Sequence, residues 1–233
     1  MESRFQKICR DGLLYSQCSR HVNFHTHGQC FATADKKYQF VKIPKNHSTW
    51  TKTFFHRHLS WHEDNFEQIK TATTLVCLRD PVIRWISGLV EYVYDTRPHF
   101  DFNKSDISLL DWILDGMVFD PCTVPQTVFL DGLVSENVVW FWADANYEEN
   151  FVSYLSSRQL LPQEFVTTDQ EVYQYKNDHR DNSYKVRNYD FLENLCRNDD
   201  AVRSRIMEFY RFDYELIQSV DFYNSKNHVK RPQ

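Results

Sequence analysis

The pattern of apolar and polar positions predicts strands and helices that alternate along the chain. Short runs of β-branched and aromatic residues have the length of buried strands, at 38–43, 74–78 and 137–142. Apolar residues at helical spacing follow these runs, over 48–60, from Pro81 onward and over 147–161. Strands that alternate with helices are typical of βαβ units, so the pattern predicts an α/β fold with a central parallel sheet flanked by helices.

The remaining segments complete a predicted single domain over residues 1–233. Residues 1–36 are polar, rich in histidine and weakly periodic, which predicts an irregular N-terminal extension. Further helices are predicted over 63–70, 105–116 and, as one long amphipathic helix, 199–220. The sequence contains no internal repeat and no linker rich in Pro, Gly or Ser, so nothing marks a domain boundary.

Composition and charge oppose several classes of protein. The formal net charge is -5 and the pI is about 6.0, which opposes nucleic-acid binding through bulk positive charge. No apolar run approaches the roughly 20 residues of a spanning helix, and the first residues lack the apolar stretch of a signal peptide. We therefore expect no nucleic-acid partner, no membrane span and a cytoplasmic location.

The spacing of cysteine and histidine does not indicate a metal site. The six cysteines form no C-x-x-C pair, and Cys77 lies inside an apolar run that favours a buried free thiol. His21, His25 and His27 lie in a polar segment without a nearby carboxylate. We therefore expect free thiols, a reducing compartment and no bound metal.

The segment that follows the first predicted strand carries the groups of an anion site. Pro44 ends the strand, Lys45 follows it, and Ser48 and Thr49 stand at the start of the next helix. A helix N-terminus presents backbone N–H donors, to which the lysine adds a full charge and the hydroxyls add donors. The ordinary alternative is a capped helix beside a solvated lysine. Because proline and not glycine stands directly before Lys45, the segment is not the G-x-x-x-x-G-K-[ST] loop of nucleotide kinases.

The second predicted strand ends in a comparable way. Arg79 follows the strand directly, Asp80 and Pro81 begin a helix, and Ser87 lies eight residues after Arg79. A guanidinium and a hydroxyl in this arrangement suit a shared phosphate group, for which arginine is better adapted than lysine. Ligands of parallel sheets bind at the carboxyl ends of strands, which is where both segments lie.

Together the two segments resemble the motifs of sulfotransferases that use 3'-phosphoadenosine 5'-phosphosulfate (PAPS). Residues 44–50 resemble the family's 5'-phosphosulfate loop, P-K-x-G-T-T-W or I-P-K-x-x-x-[ST], with His47 where small residues are usual. Residues 79–87 match its 3'-phosphate motif R-[DN]-P-x-x-R-x-x-S, including Arg84. Weaker likenesses are 119–126 to the H-x-x-P-Q stretch, with Cys122 at the histidine, and 208–216 to the Y-x-x-D-Y-x-L-[FI] helix of the Golgi carbohydrate branch.

The resemblance implies a P-loop-like sulfotransferase fold and a set of residue roles. Lys45 would stabilise the leaving 5'-phosphate, while Ser48, Thr49 and the backbone of 46–49, including Asn46 and His47, would hold the 5' end. Arg79 and Ser87 would hold the 3'-phosphate. Trp50 matches a tryptophan that contacts adenine in the family, with a place in the core as its alternative.

The implied reaction moves a sulfuryl group from PAPS to a hydroxyl or amine of an acceptor, with adenosine 3',5'-bisphosphate (PAP) as product. The acceptor class is a carbohydrate or glycolipid, and the net negative charge favours a neutral one unless a basic groove exists locally. The reaction needs a general base, for which His99 is the candidate and His47 a second choice. The alternative function is a module that binds PAPS, PAP or a sulfated ligand without turnover.

Overall fold

The structure, a computed structural model, describes 4–18, 29–65, 72–105, 107–117, 120–130, 133, 137–163, 165 and 183–226. The chain divides into two compact units. The first comprises Met1–Asp80, Pro125–Gln163 and Tyr210–Gln233, and the second comprises Pro81–Val124 and Glu164–Phe209. The single domain over 1–233 stays a prediction.

A five-stranded mixed sheet forms the centre of the first unit, which confirms the α/β class. Its strands are β1 (Gln29–Ala32), β2 (Tyr38–Val41), β3 (His62–Asn65), β4 (Thr73–Leu78) and β5 (Val138–Trp142). They lie in the order β3-β1-β2-β4-β5. The three predicted strands β2, β4 and β5 are parallel, while β1 pairs antiparallel with both β2 and β3.

A tight turn joins β1 to β2 and explains their antiparallel pairing. Lys36 has a left-handed φ of 55°. The Asp35 carboxylate accepts hydrogen bonds from the Thr33 hydroxyl at 2.7 Å and from the Lys37 backbone at 3.1 Å. The Thr33 bond and then the Lys37 contacts lower the pKa of Asp35 to about 2, because they favour its charged form. The turn thus keeps its carboxylate acceptor at any ordinary pH.

Two of the sequence predictions for this unit are wrong. Residues 1–36 are not irregular throughout, because they contain helix α1 (Arg4–Cys18) and β1. Residues 62–65 form the edge strand β3 and not a helix, whereas 66–70 lie outside the described residues. Neither element has a strong signal in its own sequence, because both depend on contacts with other segments. Helix α1 packs through Gly12 against Thr127 and Phe212, and β3 forms by backbone pairing with β1.

Aromatic side chains pack the core between the sheet and its helices. Helix α2 (Ser48–His58) follows β2, and helix α6 (Tyr147–Ser157) follows β5. Phe40 from β2 and Phe55 from α2 both contact Phe151 from α6, with ring centroids 5.6 and 5.9 Å apart. The high aromatic content of the sequence is therefore used, in this unit, to fill the space over the sheet.

The predicted long helix over 199–220 is two helices. Helix α8 (Asp200–Phe209) ends before Tyr210, and helix α9 (Arg211–Lys226) begins after it. The Asp199 carboxylate caps α8 by accepting from the backbone N–H groups of Ala201 and Val202. Apolar spacing continues through both helices, and for that reason periodicity alone missed the break.

The second unit is helical in its described residues. It contains α3 (Pro81–Thr96), a 3-10 turn (Phe102–Lys104), α4 (Ile107–Gly116), α7 (Ser183–Asn198) and α8. The first unit also holds the short helix α5 (Gln126–Phe129). Helix α3 begins at Pro81 as predicted, and α7 packs on it with Lys185 bonded to Glu91 at 2.8 Å. The Asn188 side chain on α7 accepts a hydrogen bond from the Phe102 backbone N–H and donates one to the Phe100 carbonyl.

Gly88 provides a direct test of the packing in this unit. A Cβ at Gly88 would overlap the Cys122 carbonyl and approach the Thr123 methyl to 2.9 Å, whereas a Cβ at Gly116 meets nothing within 4 Å. We expect Gly88→Ala to lower the free energy of unfolding by about 1–3 kcal/mol through overpacking. The matched control Gly116→Ala is expected to be neutral or stabilising, by up to about 1 kcal/mol. Urea denaturation of both variants checks this, and equal effects would contradict the packing.

Candidate functional site

The two strand ends that the sequence singled out are neighbours in the sheet. Strands β2 and β4 pair in parallel with Val41 opposite Val76, so both end at the same edge. Residues 44–50 leave that edge from β2, and Arg79 leaves it from β4. The candidate anion-binding groups of the first unit therefore lie together where ligands of parallel sheets bind.

The loop between β2 and α2 has an unusual backbone. Lys45 and His47 both have left-handed φ angles, 69° and 55°, while Asn46 between them does not. Left-handed residues in a loop are one way in which backbone N–H groups come to line an anion-binding concavity, although the Asn46 N–H itself donates to the Ile43 carbonyl. The loop leads directly into the N-terminus of α2 at Ser48, where the first N–H groups have no acceptor within the helix. This backbone is suited to hold an oxyanion.

The Asn46 side chain points into the protein, whereas the cofactor-binding role predicted for this residue was through its backbone. Asn46 is fully buried, and its Nδ2 donates to the Cys77 carbonyl at 2.8 Å and to Gln126 Oε1 at 2.6 Å. Its backbone N–H donates to the Ile43 carbonyl at 3.3 Å. Because these bonds use its donors, Asn46 holds the loop against β4, and we assign it a structural role.

Gln126 joins the loop to the end of β4. Its Oε1 accepts from the Arg79 backbone N–H at 2.9 Å, and its Nε2 donates to the Arg79 carbonyl at 2.8 Å. The same Oε1 accepts from Asn46, so one amide fixes both strand-end segments. Gln126 is the glutamine of the weakly matching segment 119–126, a similarity that by itself indicates no bonding role.

The buried carboxylate of Asp213 holds Gln126 in place through hydrogen bonds. Asp213 on α9 is fully buried, and its two oxygens accept from the backbone N–H groups of Gln126 and Thr127 at 2.8 and 3.0 Å. It also accepts from the Thr127 hydroxyl at 3.1 Å. The carboxylate thus caps helix α5 and orients Gln126. Asp213 is the aspartate of the weakly matching segment 208–216, which was the available signal for it.

Arg79 connects the two strand ends directly. Its guanidinium donates from Nη1 to the Lys45 carbonyl at 2.7 Å, and the side chain is half-buried. A guanidinium carries five N–H donors in a fixed fork, so one bond to the loop orients the whole group. Arg79 therefore both braces the Lys45 turn and brings a permanent positive charge to this edge of the sheet.

The other predicted residues of the loop differ in exposure. Ser48 is half-buried and Thr49 is exposed at the start of α2. The His47 ring stacks on Tyr147, with centroids 4.8 Å apart. Trp50 is only 7% exposed and stacks on Phe54 at 4.9 Å, which favours the core alternative for its side chain. Its predicted contact with adenine stays a prediction.

Three residues of the sequence hypothesis lie in the second unit. Ser87 is half-buried on α3, and His99 is exposed after α3 with its ring edge on Tyr184 at 5.7 Å. Arg84 is fully buried and donates to the carbonyls of Pro121 and Val124. Arg84 therefore stabilises the 121–124 segment, whereas the roles of Ser87 and His99 stay predictions.

Burial keeps two titratable groups near the loop in their neutral forms. Desolvation raises the pKa of the Cys77 thiol and of the Tyr147 phenol well above their usual values. The Tyr147 hydroxyl shares a 2.8 Å hydrogen bond with Thr51 on α2. Cys77 is a buried free thiol, as predicted, and both groups serve the structure of the site.

Metal-ligating side chains do not converge in the part of the chain that the structure describes. There, no three His, Cys, Asp or Glu side chains gather as a metal site would require, and His21, His25 and His27 lie outside that part. No described helix combines the length and the apolar character needed to traverse a bilayer.

Comparison of the chain with protein-family models, with curated proteins and with solved structures finds no match.

The Asp213 carboxylate is expected to be essential for the stability of this site. Asp213→Asn replaces one of the two acceptor oxygens with an NH2 donor, so one of the buried backbone N–H groups loses its acceptor, and we expect a loss of about 2–4 kcal/mol in the free energy of unfolding. Glu215→Gln, an exposed position on the same helix, is the matched control and should change stability little. Guanidinium denaturation measures both, and equal stability of the two variants would refute the role of Asp213.

The left-handed backbone at His47 makes a second prediction. Valine is strained at a φ of 55° while glycine is not, so His47→Val is expected to be less stable than His47→Gly by about 1–3 kcal/mol. Both variants lose the ring that stacks on Tyr147, so their difference isolates the backbone. Thermal and urea unfolding provide the measurement. Valine as stable as glycine would mean that residue 47 does not hold this conformation in solution.

Proposed function

We propose that the chain is a sulfotransferase that moves a sulfuryl group from PAPS to a hydroxyl or amine of an acceptor. The acceptor belongs to the class of carbohydrates or glycolipids. The observation that carries the proposal is the bond from Arg79 to the Lys45 carbonyl at 2.7 Å, across the ends of two neighbouring parallel strands. It joins the two segments that match the 5'-phosphosulfate and 3'-phosphate motifs of that family. The proposal includes the P-loop-like sulfotransferase fold.

The Lys45 turn would receive the phosphosulfate end of the nucleotide. Backbone N–H groups at the start of α2, with the Ser48 and Thr49 hydroxyls, supply donors to its oxygens. As the acceptor oxygen forms a bond to sulfur, the bond from sulfur to the bridging oxygen breaks and negative charge develops on the 5'-phosphate. Lys45 stabilises that charge, which is an interaction made mainly in the transition state.

Arg79 would contribute the recognition of the 3'-phosphate, the group that distinguishes PAPS from ordinary adenine nucleotides. Its planar guanidinium suits a phosphate in charge and geometry, and its bond to the loop limits the conformations it has to lose on binding. Ser87 would share this phosphate on the strength of the sequence resemblance, and His99, which follows residues 79–95 in the chain, is the candidate base for the acceptor's proton. The absence of a glycine directly before Lys45 counts against the phosphate loop of kinases.

Calorimetric titration of the whole chain tests the nucleotide site. We expect PAP to bind with micromolar affinity and 5'-AMP and ATP to bind much more weakly, because only PAP carries the 3'-phosphate that Arg79 would hold. Equal binding of the three nucleotides, or none, would overturn the proposal. Transfer of radiolabelled sulfate from PAPS to a panel of sugars then separates an enzyme from a module that only binds.

Two substitutions distinguish the residue proposed for nucleotide binding from the residue proposed for the transfer step. Lys45→Ala is expected to reduce sulfate transfer at least 100-fold while the chain stays folded, since one preorganised cation at a developing charge is worth about 3 kcal/mol or more. Arg79→Ala is expected mainly to weaken PAP binding. Lys7→Ala, an exposed lysine on α1, is the control for loss of a positive charge. Near-normal transfer by Lys45→Ala would refute the mechanism.

A further inference from the structure

A depression on the surface of the first unit begins beside the Lys45 turn and is lined by residues with basic or hydroxyl side chains. It has a volume of about 340 Å³. Its basic lining residues come from the end of β2 and from α2: Lys42, Lys52, His56 and Arg57. Three hydroxyl side chains, those of Ser48, Thr49 and Thr53, complete the lining.

The helical spacing of these residues makes the depression a groove along one face of α2. Positions 49, 52, 53, 56 and 57 are three or four residues apart and therefore share a helix face. The opposite face carries Trp50, Phe54 and Phe55 and is buried in the core. Between Thr49 and Arg57 the helix rises about 12 Å at 1.5 Å per residue, so its lining residues are spread over more than a single contact point.

A carboxylate outside the groove lining pairs with two of the groove's lysines. Glu63 on β3 lies 3.5 Å from Lys42 and 3.7 Å from Lys52, both partly exposed. The described lining itself contains Lys42, Lys52 and Arg57 and no carboxylate. Such long and solvated pairs contribute little stability, so an incoming anion can compete with Glu63 at small cost.

We propose that this groove binds an acidic oligosaccharide, a sugar chain bearing sulfate or carboxylate groups, as the acceptor of the proposed transfer. The cations match the anionic groups, and the Thr53 hydroxyl, which lies farther along α2 than Ser48 and Thr49, offers its oxygen as an acceptor to a sugar hydroxyl. The described lining contains no Phe, Tyr or Trp on which bases would stack, which favours a sugar over a single-stranded nucleic acid. The acceptor role rests on the proposed function, whereas binding of the acidic sugar does not.

This assignment changes the expectation drawn from the whole chain. A net charge of -5 favours a neutral acceptor, unless positive charge is concentrated locally. The groove provides that concentration next to Ser48 and Thr49, the residues at which the phosphosulfate end of the nucleotide is proposed to lie. A bound acidic sugar would therefore present its hydroxyls close to the transferred group.

The test measures binding of a sulfated tetrasaccharide to the whole chain by calorimetry, beside an uncharged tetrasaccharide that carries neither sulfate nor carboxylate and a single-stranded oligonucleotide of equal charge. We expect the sulfated sugar to bind most tightly, and its affinity to fall as salt is raised from 50 to 200 mM, by roughly threefold or more. Equal binding of the uncharged sugar, or tighter binding of the oligonucleotide, would overturn the assignment.

Two substitutions with opposite expected signs exclude a general loss of structure. Lys52→Gln is expected to weaken binding of the sulfated tetrasaccharide roughly threefold to tenfold, because it removes a groove cation. Glu63→Gln is expected to strengthen it roughly twofold to fivefold, because it removes the competing carboxylate. Lys104→Gln, an exposed position in the second unit, is the control and should bind as wild type does. Unchanged affinity in both groove variants would refute the proposal.

PAP titration of the same proteins separates this inference from the proposed function. Normal PAP binding with no binding of the sulfated sugar would refute the groove alone. Binding of the sulfated sugar without any PAP binding would refute the sulfotransferase and leave the groove as a site for acidic sugars.

Discussion

The site depends on one buried carboxylate and the amide that it orients. Asp213 accepts two backbone N–H groups of α5, and Gln126 at the start of that helix bonds both Asn46 and the backbone of Arg79. The Asp213, Gln126 and Asn46 side chains are all buried. If one of them is removed, the groups that it bonded stay buried with neither that hydrogen bond nor water in its place. The network therefore specifies one arrangement of the Lys45 turn relative to the end of β4.

The motif segments therefore have two different roles: some carry the groups suited to an anion, and the others hold those groups in place. The two strongly matching segments contribute the groups suited to an anion: Lys45, the start of α2 and Arg79. The two weakly matching segments contribute Gln126 and Asp213, which hold the first pair in place. Asn46 belongs to the supporting set although it lies inside the loop, because its donors are used within the protein. Support of this kind limits the motion of the binding groups, which is what preorganised stabilisation requires.

Charge is distributed unevenly in the first unit, and this bears on the proposed acceptor. The chain is acidic as a whole, yet basic side chains of β2 and α2 line a groove that begins beside the Lys45 turn. Helix α2 serves three purposes through three of its parts: its N-terminus faces the proposed phosphosulfate, its apolar face fills the core, and its polar face lines the groove. A single helix thereby links the proposed nucleotide site to the proposed acceptor site.

The sequence by itself determined the features that depend on neighbouring residues. Its periodicity located β2, β4, β5, α2 and α3 to within a few residues, and its motifs placed Lys45 and Arg79 at strand ends. Only the tertiary structure decided α1, β3, the break at Tyr210 and the inward direction of Asn46. These features arise from partners far apart in the chain: Asn46 and Gln126 are 80 residues apart, and Gln126 and Asp213 are 87 apart. Edge pairing and burial of polar side chains have no local period, because their stabilisation comes from groups that only folding brings together.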